Sequence, residues 1–196
     1  MYRILALLIL LACIGTSAYY RRRARAEGGT IERRRETPGL IVVRIFVTLP
    51  LMLSIVLYLV NPRLMGWSSL PLPGWARLIG AVTGTCAVCS TFWVFRSIGK
   101  NVSETVLTKD GHELVTHGPY RWVRHPLYTT GILLIVSIGL LAANWFILGL
   151  GVLVAVLIRV VVIPAEEAQL IAKFGEEYEA YRARTGALAP PVGATR

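Results

Sequence analysis

Residues 125–167, HPLYTTGILLIVSIGLLAANWFILGLGVLVAVLIRVVVIPAEE, decide how the chain folds. Leu127 to Ala143 and Trp145 to Ile163 are apolar runs, and Asn144 is the only strongly polar residue between them. One polar break between two such runs predicts a tight helical hairpin with its tip at Asn144. At 1.5 Å per residue the arms 126–143 and 145–163 rise roughly 27 and 28 Å, so the chain returns to the depth where it began. His125 and the pair Glu166-Glu167 are thereby expected side by side at the open end.

The pattern continues upstream. Ile4 to Tyr20, Leu40 to Val60 and Trp75 to Phe95 are further apolar runs, each near the ~20 residues that cross ~30 Å of hydrocarbon. A chain that is 55% hydrophobic and 16% charged has the bilayer as its first solvent. The expected fold class is an all-α integral membrane protein of about five transmembrane helices in a single domain. Residues 1–97 carry three helices with their connecting loops, and 98–196 carry the hairpin 126–163 and a C-terminal helix. The first run begins like a signal peptide, with Arg3 and small residues around Cys13 and Ser17. It then continues through Tyr19 and Tyr20 into a block of arginines, a stop-transfer flank, so a retained helix is expected. Asn61-Pro62 ends the second run, and the Pro/Gly/Ser-rich stretch to Gly74 reads as a short external loop. Arg44 and Arg77, near helix ends, can snorkel to the interface. Cys86 and Cys89 have a CxxC spacing, but one such pair inside an apolar run reads as small packing residues, and no metal site is expected.

The net charge of +10 points to the membrane and away from nucleic acid, because the charges cluster between the apolar runs. Segments 21–38, 96–125 and 164–196 hold 16 of the 21 basic residues and all eleven acids, whereas the opposite side keeps only Arg3, Arg63 and Arg77. The positive-inside rule then puts the N-terminus outside and the C-terminus in the cytoplasm. A multi-pass plasma-membrane protein results, with the charged segments facing the cytoplasm. The arginines of 21–35 are also placed to meet anionic lipid headgroups or simply to set topology.

The chemistry gathers after Phe95. Arg124-His125-Pro126-Leu127-Tyr128 opens the hairpin, with Pro126 in the first helical turn, where a missing N–H costs nothing. His125 and Tyr128 lie one turn apart on a shared face, beside the partial positive charge of a helix N-terminus. Asp110-Gly111-His112-Glu113-Leu114-Val115 and Gly118-Pro119-Tyr120 alternate turn formers with short apolar steps, as a loop wrapped over a ligand does. Each residue has a plainer use: His125 as a helix cap, Tyr128 as an interfacial anchor, the two glutamates as first-turn acids of a surface helix after Pro164. Together they are harder to explain so, because ionisable groups are costly at one membrane depth. They suit a zwitterionic ligand: carboxylate for ammonium, helix N–H groups for carboxylate, aromatic faces for a sulfonium.

Gly118-Pro119-Tyr120, Arg124-His125-Pro126-Leu127-Tyr128, Glu166-Glu167 and Phe174-Gly175-Glu176-Glu177-Tyr178 with Tyr181 resemble the isoprenylcysteine carboxyl methyltransferases and their prokaryotic relatives, a region shared with phospholipid N-methyltransferases. The resemblance covers about 110 to 196, and the first three runs match only in being hydrophobic. It implies that 98–196 is a catalytic region binding S-adenosylmethionine, with His112, Leu114, Val115, Gly118, Tyr120, His125, Pro126, Tyr128 and Glu166 at the cofactor. Glu167 would face the acceptor, and Arg124 or Arg159 would orient it. The chain departs from the family pattern twice. Thr130 stands where a glycine is usual, with Gly131 following, and Val162 stands where an arginine is usual, with Arg159 roughly on the same face one turn earlier.

The partners so implied are the lipid bilayer and an amphipathic or prenylated acceptor; oligomeric state is not readable. A carboxylate acceptor needs only an orienting cation, whereas an amine needs a base such as Glu167 or His125. Phospholipid, small-amine or thiol methylation therefore stays open. So do a nicotinamide-dependent reductase of the sterol-reductase type, which shares the Arg-His-Pro-x-Tyr element, and a non-catalytic membrane scaffold.

Overall fold

The computed structural model describes residues 1–26, 38–98 and 114–191. Among these described residues, seven α-helices follow in order: α1 (Tyr2–Ala26), α2 (Pro38–Val60), α3 (Gly74–Ile98), α4 (Pro126–Ala142), α5 (Trp145–Leu157), α6 (Ile163–Phe174) and α7 (Glu176–Arg184). Short 3-10 turns occupy Pro62–Ser68 and Gly118–Arg121. Among the described residues there are no strands beyond the isolated bridges Ser69 to Asn144 and Val123 to Gly186.

Among the described residues, Tyr2–Ala24, Gly74–Ile98 and Trp145–Phe174 are long and apolar enough to cross a membrane, and Ile45–Val60, the part of α2 whose side chains are described, and Pro126–Ala142 are further apolar stretches. Large apolar side chains such as Leu8, Phe46, Leu78, Val82 and Val152 point outward, the inverse of a water-soluble surface and the arrangement a lipid-facing bundle requires. The interior is drawn from α1, α2, α4 and α5: Ala6, Ile9, Leu51, Ile55, Tyr58, Ile138, Leu141 and Ile147. Lipid tails are as apolar as leucine, so helix association depends on close fit and on interhelical hydrogen bonds. The α3–α4 contact has both. Ser137 Oγ donates to Gly80 O at 2.6 Å, and a Cβ on Gly80 would come within 2.9 Å of Leu140 Cβ.

The hairpin forms as its sequence pattern requires, with Ala143 and Asn144 between α4 and α5. Asn144 is buried; its Oδ1 accepts from Ile147 N at 3.0 Å, and its Nδ2 donates to Ser68 Oγ at 2.7 Å and Met65 O at 3.3 Å. The 61–74 stretch is therefore no free loop, because its 3-10 turn is docked onto the hairpin tip.

Two further expectations need correction. Pro164 does not end a span: α5 runs through a π turn at Ile158–Val162 into α6, making one helical rod from Trp145 to Phe174. Proline cannot donate to the carbonyl four residues back and its ring crowds that carbonyl; widening the preceding turn relieves this, and Ile163 N bonds instead to Ile158 O. Of the three cysteines, Cys13 alone is buried, beside Thr91, whereas Cys86 and Cys89 are exposed and so do not pack within the bundle.

Candidate active site

Pro126 opens α4 with His125 as its N-cap residue, and the rod returns Glu166 and Glu167 beside it. His125 Nδ1 lies 3.2 Å from Glu166 Oε2. The Tyr128 hydroxyl donates to Glu166 Oε1, and the rings of His125 and Tyr128 stack with centroids 5.8 Å apart. The other imidazole nitrogen, Nε2, is 3.4 Å from Glu167 Oε1 but not aligned for a hydrogen bond, so it is buried without one among the described residues. Such a group is costly unless something else satisfies it.

Glu167, 7% exposed, is held by cations. Arg124 Nε approaches Oε1 at 2.8 Å and Arg182 Nε approaches Oε2 at 3.4 Å. Arg124 Nη1 also donates to Arg182 O at 3.0 Å and to Thr185 O. Arg124 thus ties Glu167 to the C-terminal segment, which doubles back beside the start of α4. Arg124 N donates to Gly186 O at 2.9 Å, His125 N to Ala187 O at 3.1 Å, and Thr129 Oγ1 to Leu188 O at 2.7 Å. Gly175, at φ 54°, supplies the break that lets α7 turn away from α6.

Behind this cluster lie three tyrosines. Tyr181 OH donates to Tyr120 O at 2.6 Å, pinning the Gly118–Arg121 turn to α7. Burial pushes the Tyr181 hydroxyl up to about 12, against the pull of Arg124 and Arg184. Burial also raises Tyr120, helped by Tyr181 and the charge of Glu166, and raises Tyr178, helped by Glu167. All three are neutral phenols near pH 7. The Tyr178 hydroxyl is buried with no hydrogen-bond partner among the described residues.

Of the residues assigned to the cofactor from sequence, Tyr120, His125, Pro126, Tyr128 and Glu166 converge here. Gly118, at φ 61°, packs so closely on Ser97 of α3 that a side chain would collide with it. Leu114 and Val115 are half-buried on the approach to that turn, and His112 lies outside the described residues. Of the residues assigned to the acceptor, Arg124, Arg159 and Glu167 line one cavity of about 280 Å³, shared with Pro164 and Arg182. Thr130, in the usual glycine position, is buried with its hydroxyl on Pro126 O at 2.8 Å, while Gly131 borders open space. Arg182 and Tyr178 carried no assignment from sequence. The spacing of Tyr178, Tyr181, Arg182 and Thr185, one helical stripe, is the signal that would have found them.

A helical bundle with an apolar exterior and long apolar helices has the build of a multi-pass membrane protein, and here it carries a buried ionisable cluster at the open end of a hairpin. Residues 80–172 match the isoprenylcysteine carboxyl methyltransferase (ICMT) family, which is what this segment is similar to. The match begins at Gly80, inside α3 and earlier than motif reading placed it, and stops before Phe174-Gly175. A stretch of 50 residues is 42% identical to the uncharacterized protein YpbQ of Bacillus subtilis (strain 168), over 26% of this chain and 30% of that protein. The aligned stretch thus spans less than a third of that relative.

Proposed function

We propose that the chain is a membrane methyltransferase that takes its methyl group from S-adenosylmethionine and gives it to an amphipathic, lipid-like acceptor, by family default the carboxylate of an isoprenylcysteine. The reading includes five spans with the active site on the cytoplasmic side. The contact of Glu166 with both His125 and Tyr128 carries it. Distant parts of the chain converge there on a charged, aromatic cluster that the fold alone does not need.

The donor set suits this cofactor. Glu166, with 16% of its side chain exposed, offers a carboxylate to an ammonium, and the α4 N-terminus offers partial positive charge to a carboxylate. The stacked rings of His125 and Tyr128 offer aromatic surface to a sulfonium, and the buried Nε2 of His125 offers an unused polar atom. S-adenosylmethionine, when bound, supplies a methyl group on a sulfonium that departs as a neutral thioether. The chain's own residues then have to hold an acceptor in line with that methyl group and keep water away. Both oxygens of Glu167 already face guanidiniums. A carboxylate acceptor, which needs no base, therefore fits this side better than an amine.

Glu166→Ala and His125→Ala should each weaken binding of S-adenosylhomocysteine at least tenfold, a loss of roughly 1.4 kcal/mol, measured by calorimetry on purified protein. Normal binding by both variants removes the cofactor from this cluster. Saturable binding of NADPH with none of S-adenosylhomocysteine replaces the reading with a reductase.

A further inference from the structure

The π turn at Ile158–Val162 is more than an accommodation of Pro164. In an unbroken α-helix every step of four residues overshoots a full turn by about 40°, so the row 159, 163, 167, 171 would wind through about 120°. Arg159 would then sit nearer the face of Glu166. A π turn takes one residue more to close, which cancels much of that drift. Accordingly Arg159, Ile163, Glu167 and Ile171 all line the same 280 Å³ cavity.

That cavity has three guanidiniums against one carboxylate. Arg124 is engaged by Glu167 and two backbone carbonyls, and Arg182 leans on Glu167. Arg159 has no hydrogen bond or ion pair among the described residues, and its neighbours in sequence are Val and Ile. We infer that the π turn is a register device that turns Arg159 into this cavity, where it holds the anionic head group of the acceptor. The inference rests on the methyltransferase reading above. It makes Arg159 the residue that selects acceptor charge and Pro164 a positioning residue acting through it. An ammonium head would meet net positive charge here, whereas a carboxylate would meet a planar donor free to grip it.

The test uses full-length protein and two probes that differ only in charge, N-acetyl-S-farnesylcysteine and its carboxamide, with S-adenosylhomocysteine as the fold control. Wild type should bind the carboxylate at least tenfold more tightly than the carboxamide. Arg159→Gln should abolish the preference and leave S-adenosylhomocysteine affinity unchanged. The double change Arg159→Val with Val160→Arg separates the two helix registers, because position 160 lies two turns before Glu167 in a plain α-helix and points away in the π form. Val160 is 65% exposed, so neither change threatens packing. The double variant should lack the preference too. A retained preference with the arginine at 160 overturns the register device, and a retained preference in Arg159→Gln overturns the role of Arg159. A wild type that binds S-adenosylhomocysteine but fails to favour the carboxylate, or binds neither probe, overturns the anionic acceptor. A wild type that fails to bind S-adenosylhomocysteine overturns the methyltransferase reading instead.

Discussion

The two ends of the α4–α5 hairpin are both polar and both buried, yet they are built on opposite principles. At the tip, Asn144 satisfies Ile147 N, Ser68 Oγ and Met65 O. At the open end, His125 Nε2 and the Tyr178 hydroxyl have no hydrogen-bond partner among the described residues, and two carboxylates crowd one imidazole. A buried polar group that is fully paired specifies a fold; one left unpaired stores a demand that a ligand can meet. A single pair of helices thus carries one polar end whose groups are paired and one whose groups are not.

The strongest challenge to this contrast is topological, since the two ends should lie on opposite sides of the membrane. In a cysteine-free background, Ser69→Cys, beside the tip, should label fully with an impermeant thiol reagent in intact cells, and Glu179→Cys on α7 should not. Labelling of both, or of position 179 alone, would place the ends differently. Next in size is the tip itself. Asn144→Ala strands a donor, a hydroxyl and a carbonyl, and at about 1–3 kcal/mol per stranded group should lower the melting temperature clearly. Affinity of the folded protein for S-adenosylhomocysteine should be unchanged, opposite to the pattern expected of Glu166→Ala. A tip variant that loses ligand affinity without losing stability would erase the distinction.

The smallest effect concerns the tyrosine behind the site. Because the Tyr181 hydroxyl is raised from 10.0 to about 12 in the folded protein, its contribution is intact below pH 10 and is lost as pH rises toward 12. Tyr181→Phe should cost about 1 kcal/mol near pH 8, the typical net value of one hydrogen bond. It should also show a shallower fall in melting temperature between pH 9.5 and 11.5 than wild type. An identical fall would assign the alkaline sensitivity to Tyr120 and Tyr178.

How much of this was legible in the sequence follows the range of the forces involved. The hairpin was readable because one asparagine interrupts two apolar runs of nearly equal rise, and that equality also predicted the meeting of His125 with Glu166. The π turn was not, since Ile, Val and Leu on both sides of Arg159 carry no mark of helix type, and Pro164 reads as a stop signal when isolated from its context. Arg124 read as a cation that orients the acceptor. Its capture by Arg182 O and Thr185 O depends on an irregular tail returning across more than fifty residues of intervening chain, and no periodicity announces such a return. The 3-10 turn at Pro62–Ser68 read as loop for a related reason: its composition is that of a turn, and only the partner at Asn144 gives it a place.

That partnership has a consequence for how the chain is made. Ser68 precedes Asn144 by 76 residues, so during synthesis the socket emerges long before its plug. An apolar hairpin carrying one asparagine into a greasy environment is a poor traveller on its own. Here the hydroxyl and carbonyl that pair with it are synthesised first, so chain order favours the packing step that brings His125 and Glu166 together.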